Sequence, residues 1–135
     1  MTEREGFFKK EWETQAPEER EQRQNAWLAE TVRYAYEHCE TVREKMDDAG
    51  ITPEAINTTE DLEKIPITPK RDLVKLNLEK GPFGGFLGVD PKDLKRIYIS
   101  PGPIYDPHGR EEDPYSLQPL FYNAGFRKGD RVINT

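Results

Sequence analysis

The chain has 135 residues, enough for one domain, and apolar and charged residues each make up 34% of it, so any core is small. A net charge of −6 argues against nucleic acid and anionic membrane as partners, because an acidic surface repels both. One cysteine, no signal-peptide core and no apolar run of transmembrane length together predict a cytoplasmic protein.

Residues 17–49 contain no glycine and no internal proline. Leu28, Val32, Ala35, Cys39, Val42 and Met46 recur at steps of four and three, which places them on one face of a helix. Pro17 suits a first helical turn, Glu18 and Glu19 favour the positive end of the dipole, and Gly50 ends the pattern. The length predicts two helices with a bend near 38–41. Trp12, Trp27, Tyr34 and Tyr36 lie on or beside the stripe and read first as packing residues.

The stretch "GITPEAINTTEDLEKIPITPKRDLVKL" predicts a string of short helices. Thr52 or Pro53 starts a turn, Thr59 precedes a short helix that Pro66 stops, and Thr68 caps another with Pro69 at its first position. Ile65 and Ile67 are expected to anchor the string to a core. "EKGPFGGFLGVDPKD" then carries Gly81, Gly84, Gly85 and Gly88, and reads as a flexible connector with Phe83 and Phe86 tucked inward. It matches neither a dinucleotide fingerprint nor a Walker loop.

"LKRIYIS" is the best strand, and "SPGPIYDPHG" follows it as a loop. A helix is expected from Pro114 or Tyr115, and a second strand over 131–134. Strand, helix, strand in that order is the grammar of a parallel sheet. His38, His108 and Cys39 are the only soft metal-ligand candidates, and their spacing is not that of a zinc site. His108 in a loop reads first as solvent-exposed, and the acidic run "REEDP" as solvated.

The ordered set "TVRYAYEHC", "VREKMDDAGITPEAI", "TEDLEKIPITPKRDLVK", "RIYIS" and "YNAGFRKGDRVINT" resembles the opening of the phenylacetate–coenzyme A ligases, which are adenylate-forming acyl-CoA synthetases. The resemblance runs from about Trp12 to the end of the sequence. It implies an α/β fold, α+β in a segment of this length. Helices over about 12–80 would be followed by the connector and the beginning of a parallel sheet over 81–135. It also implies ATP and Mg2+, coenzyme A as co-substrate, a small aromatic or acyl carboxylate as substrate, the remainder of the ligase domain as partner, and a homodimer.

Where the family loop reads approximately "SSGTTGKP", this chain keeps Ser100, Gly102 and Pro107 but has Pro103, Ile104, Tyr105 and Asp106 in place of threonines, a glycine and the lysine. Phosphate binding uses hydroxyls, backbone N–H groups and a cation, and this loop has lost much of each. A stiff loop that ignores nucleotide is therefore the favoured reading of this stretch, and Ser100 and Gly102 are the only positions carried over from the family as an ATP-phosphate loop. Asp106 could act only through a metal ion. The adenine, ribose–magnesium and lysine elements of such ligases find no counterpart here, so the 135 residues alone are expected to be inactive. The competing reading is a non-catalytic helical interaction or regulatory module built on the same scaffold.

Overall fold

The computed structural model describes residues 6–102, 104–113 and 115–133. Two units can be distinguished, Glu21–Arg110 and the pair of segments Met1–Arg20 and Glu111–Thr135.

The larger unit is built on a broken helix. α2 (Pro17–His38) starts in the smaller unit, after the single turn of α1 (Lys10–Glu13), and stops where Cys39 adopts extended backbone; α3 (Glu40–Asp48) resumes at once. The bend expected near 38–41 is there. Gly50, at φ +67°, lets the chain leave α3, with its N–H and that of Ile51 donated to Asp47 and Met46 carbonyls. The heptad-like stripe is the core face. Val32, Cys39 and Met46 are buried, and Leu28 and Val42 pack against the cluster. Ile56, which the helical pattern did not include, is carried into that core by a 3₁₀ turn at Pro53–Ala55 and is as buried as Met46.

A second 3₁₀ segment, Thr59–Lys64, is capped by Thr58, one residue earlier than expected. Its Asp61 carboxylate accepts from the N–H groups of Asn57 and Thr58, both at 2.9 Å. α4 (Lys70–Lys80) has Pro69, not Thr68, as its flanking residue and makes no side-chain cap. Ile65 reaches the core as expected; Ile67 does not, and is 86% exposed. The prolines at 66 and 69 disfavour helical backbone at Ile65 and Thr68, and Ile67 lies in the link between them, with its carbonyl accepting from Lys45 Nζ.

The sheet is a hairpin. β1 (Arg96–Ser100) pairs antiparallel with β2 (Ile104–His108), with Tyr98 opposite Asp106 and Ser100 opposite Ile104. The strand expected over 131–134 is not formed at 131–133, where Val132 and Ile133 are exposed; Asn134 lies outside the described residues. The start of a sheet is thus present, but its first pairing is antiparallel. A partner four residues away closes at far lower entropic cost than one that must cross over a helix, and antiparallel pairing is also the stronger per residue.

In the smaller unit, α5 (Leu117–Asn123) starts later than expected. The Asp113 carboxylate caps it, accepting from Leu117 N at 2.7 Å and Gln118 N at 2.9 Å. Pro119 sits in the first turn, where a missing N–H costs nothing; Pro114 is outside the described residues. The Arg127 guanidinium lies 3.6 Å from the Tyr122 ring centroid and donates to the Tyr122 and Phe126 carbonyls. Among the described residues, no helix is long and apolar enough to cross a membrane.

Candidate functional site

The residues singled out for phosphate binding lie at the closed end of the hairpin. Ser100 ends β1, and its hydroxyl donates to the Ile104 carbonyl at 3.4 Å. Gly102 has φ +118° and open space where a side chain would be, so its backbone is accessible. Pro101 has no N–H to offer, and neither does the residue at 103. The turn supplies one hydroxyl and one glycine N–H, with no lysine or arginine in it. That donor set fits a nucleotide phosphate only in part.

Asp106 and His108 are not loop residues, as the sequence suggested, but belong to β2. They share one face of the hairpin with Arg96 and Tyr98. The side chain of His108 is only 13% exposed: its ring stands edge-on to Tyr98 at 4.8 Å, and its Nε2 lies 3.6 Å from an Asp106 carboxylate oxygen. Arg96 donates to the Tyr98 hydroxyl at 3.0 Å. The expectation of a solvated histidine failed because the prolines at 101, 103 and 107 hid the strand; Pro107 is tolerated since β2 has a partner on one side only.

The glycine-rich connector is not loose. The helix break at Cys39 turns the start of α3 toward it. Thr41, 2% exposed, donates its hydroxyl to the Gly84 carbonyl at 2.6 Å and its N–H to the Gly85 carbonyl at 3.1 Å. Cys39 Sγ donates to the Phe86 carbonyl at 3.2 Å, and Tyr34 Oη to the Gly88 carbonyl at 2.8 Å. A Cβ on Gly85 would stand 2.4 Å from Thr41 Oγ1, and one on Gly88 would stand 3.0 Å from the Tyr34 ring. The glycines are there because helix and connector touch backbone to side chain. Lys80, at the end of α4, adds ion pairs to Glu40 at 2.9 Å and to Glu44. Those carboxylates raise the Lys80 pKa, and Lys80 in turn lowers that of Glu40. Burial pushes the Cys39 thiol up, so it is held neutral rather than primed as a nucleophile.

From the connector, Phe83 meets Tyr105 of β2 edge-on, with centroids 6.5 Å apart. The hairpin is thereby tied to the clamped connector. Thr41 is the residue that reading the sequence missed. The only signal was a hydroxyl residue just past the predicted bend, on the side facing a run of glycines.

No family model matches the chain. It is 33% identical over 96 residues to the phenylacetate-coenzyme A ligase of Thermus thermophilus, covering 71% of this chain and 20% of that protein. It is 34% identical over 90 residues to the enzyme of the same name from Escherichia coli, covering 67% and 20%. In three dimensions it resembles 2-hydroxyisobutyryl-CoA ligase. The match to the postadenylation complex with 2-HIB-AMP has a TM-score of 0.72 at 27% identity, over 81% of this chain and 23% of that one. The match to the thioesterification complex with 2-HIB-AMP and CoA has a TM-score of 0.64 at 26% identity, over 72% and 21%. The chain thus spans about a fifth of the length of these proteins.

Proposed function

Because this chain is related to the phenylacetate–coenzyme A ligases of the adenylate-forming group, we propose that it is the N-terminal segment of a ligase that joins a carboxylic acid to coenzyme A. The observation that carries this reading is the match of 81% of the chain, with a TM-score of 0.72, to a ligase holding an acyl-adenylate. In that reaction a carboxylate oxygen attacks the α-phosphorus of ATP and pyrophosphate leaves; the thiol of coenzyme A then attacks the acyl carbon and AMP leaves. ATP would supply the activating adenylyl group, and Mg2+ would neutralise the charge of its phosphates.

On this reading residues 12–80 form the helical front of the ligase domain, and 81–135 carry the connector and the start of its sheet. Ser100 and Gly102 are the positions assigned to the ATP phosphates. The clamp made by Tyr34, Cys39 and Thr41 fixes the connector from which Phe83 supports β2. The substrate is an aromatic or other acyl carboxylate. The partners are the remainder of the ligase domain and a second copy, and the setting is the cytoplasm. A non-catalytic interaction module is favoured by one feature only, the exposed Asp106 carboxylate where the resembling loops carry positive charge.

The test is a chimera. This chain replaces the matching segment of the Thermus thermophilus phenylacetate-coenzyme A ligase, and phenylacetate-dependent ATP–pyrophosphate exchange is measured with Mg2+. Retained exchange is expected, increased by Asp106→Lys. A folded chimera with no exchange in either form would leave the interaction module as the better reading.

A further inference from the structure

We propose that the apolar cavity beneath β2 is a binding site for a small, neutral aryl molecule bearing one hydrogen-bonding group. The cavity has a volume of about 210 Å³ and lies between α4, the connector and β2, with Leu73, Phe83, Phe86 and Tyr105 in its wall. A second, open surface depression of about 300 Å³ adjoins it, edged by Val74, Pro82 and the largely exposed Leu78. An apolar cavity of roughly 150 Å³ is enough to hold benzene. The first hollow therefore takes one ring, and the second takes its substituent.

Three features define the ligand. First, the ring: Phe83 and Tyr105 already meet edge-on at 6.5 Å, an arrangement that a third ring extends at the same geometry. Second, the polar group: Asn77 and Tyr105 border both hollows, and neither the Asn77 amide nor the Tyr105 hydroxyl has a hydrogen-bond partner among the described residues. Together they can both donate to and accept from an amide or alcohol at the junction. Third, the charge: neither hollow is lined by an ionisable residue other than Tyr105. A carboxylate would lose hydration with no cation to replace it. The carboxylate substrate of the proposed ligase is therefore not the ligand of this cavity, and the inference stands apart from that reading.

The experiment uses the chain itself without nucleotide. The ¹⁵N–¹H spectrum is titrated with benzamide, benzoate and toluene. Benzamide is expected to give saturable shifts confined to 73–87 and 104–107, with a dissociation constant in roughly the millimolar range for so few atoms. Benzoate should bind at least about tenfold more weakly, the cost of desolvating its charge. Asn77→Leu, at a partly buried helical position, should weaken benzamide about fivefold to tenfold, one hydrogen bond's share, and leave toluene unchanged. Shifts that do not saturate or that scatter over the chain, equal binding of benzoate and benzamide, or an Asn77→Leu variant that keeps full benzamide affinity would each overturn the proposal.

Discussion

Thr41 and Gly85 form a pair in which each residue makes sense only beside the other. The threonine hydroxyl is buried and satisfied by the Gly84 carbonyl; the glycine has φ +75° and leaves no room for a Cβ beneath that hydroxyl. Removing the hydroxyl strands a buried carbonyl, so Thr41→Val should cost about 1–3 kcal/mol in a urea melt. Gly85→Ala should cost a similar amount, part of it backbone strain and part of it the clash with Oγ1. The clash component disappears when Thr41 is alanine. Gly85→Ala is therefore expected to cost less in a Thr41→Ala background than in the natural chain. Equal costs in both backgrounds would show that the close approach has no energetic weight. Neither residue was legible as a site in the sequence. Gly85 could be seen as permissive, but what it permits depends on a partner 44 positions away along the chain, which no local pattern encodes.

The short element at Thr59–Lys64 exists because Asp61 gathers the donors that the helix start leaves open. Its carboxylate pKa is held well below the usual range, first by Lys64 and then by the N–H groups of Asn57 and Thr58. The folded pKa lies below the unfolded value of about 3.9, so the stabilisation is complete above that value and is lost as the pH falls through the folded one. Glu40, lowered by Lys80, acts in the same direction. Urea midpoints measured between neutral and acidic pH should fall on acidification. For Asp61→Asn they should start lower and fall less, so that the two curves converge at low pH. Parallel curves would remove Asp61 from the cause. Elements of this kind show how legibility varied. α2 and α3 could be read because an apolar spacing sustained from Leu28 to Met46 speaks louder than any single residue, and the acidic first turns agree with it. β2 could not, because Pro107 and Asp106 are poor strand formers and pairing with β1 overrides their preference.

At the largest scale, burial is thin: among the described residues Met46 and Ile56 are the largest side chains fully withdrawn from water, while Ile67, Leu78 and Ile133 stand at 85–90% exposure. The family could be read from the ordered motifs, whereas the chemistry could not, since Ser100 and Gly102 are two positions of a constellation that needs several others held around them. Purified 1–135 should accordingly show no acid-dependent ATP–pyrophosphate exchange; measurable exchange would mean that the described turn suffices, against the donor count made above. The clamp on the connector also has a consequence in time. Its hydrogen bonds join residues 43, 47 and 54 positions apart, whereas α2 and α3 meet across a single residue. Closing such loops costs roughly 3 kcal/mol of chain entropy before any bond forms. The helices and their Val32–Met46–Ile56 cluster can therefore assemble early, with the connector docking last. Thr41→Val is then expected to hasten unfolding more than it slows folding in stopped-flow measurements, and residues 81–88 to be the first to lose amide hydrogen-exchange protection on heating.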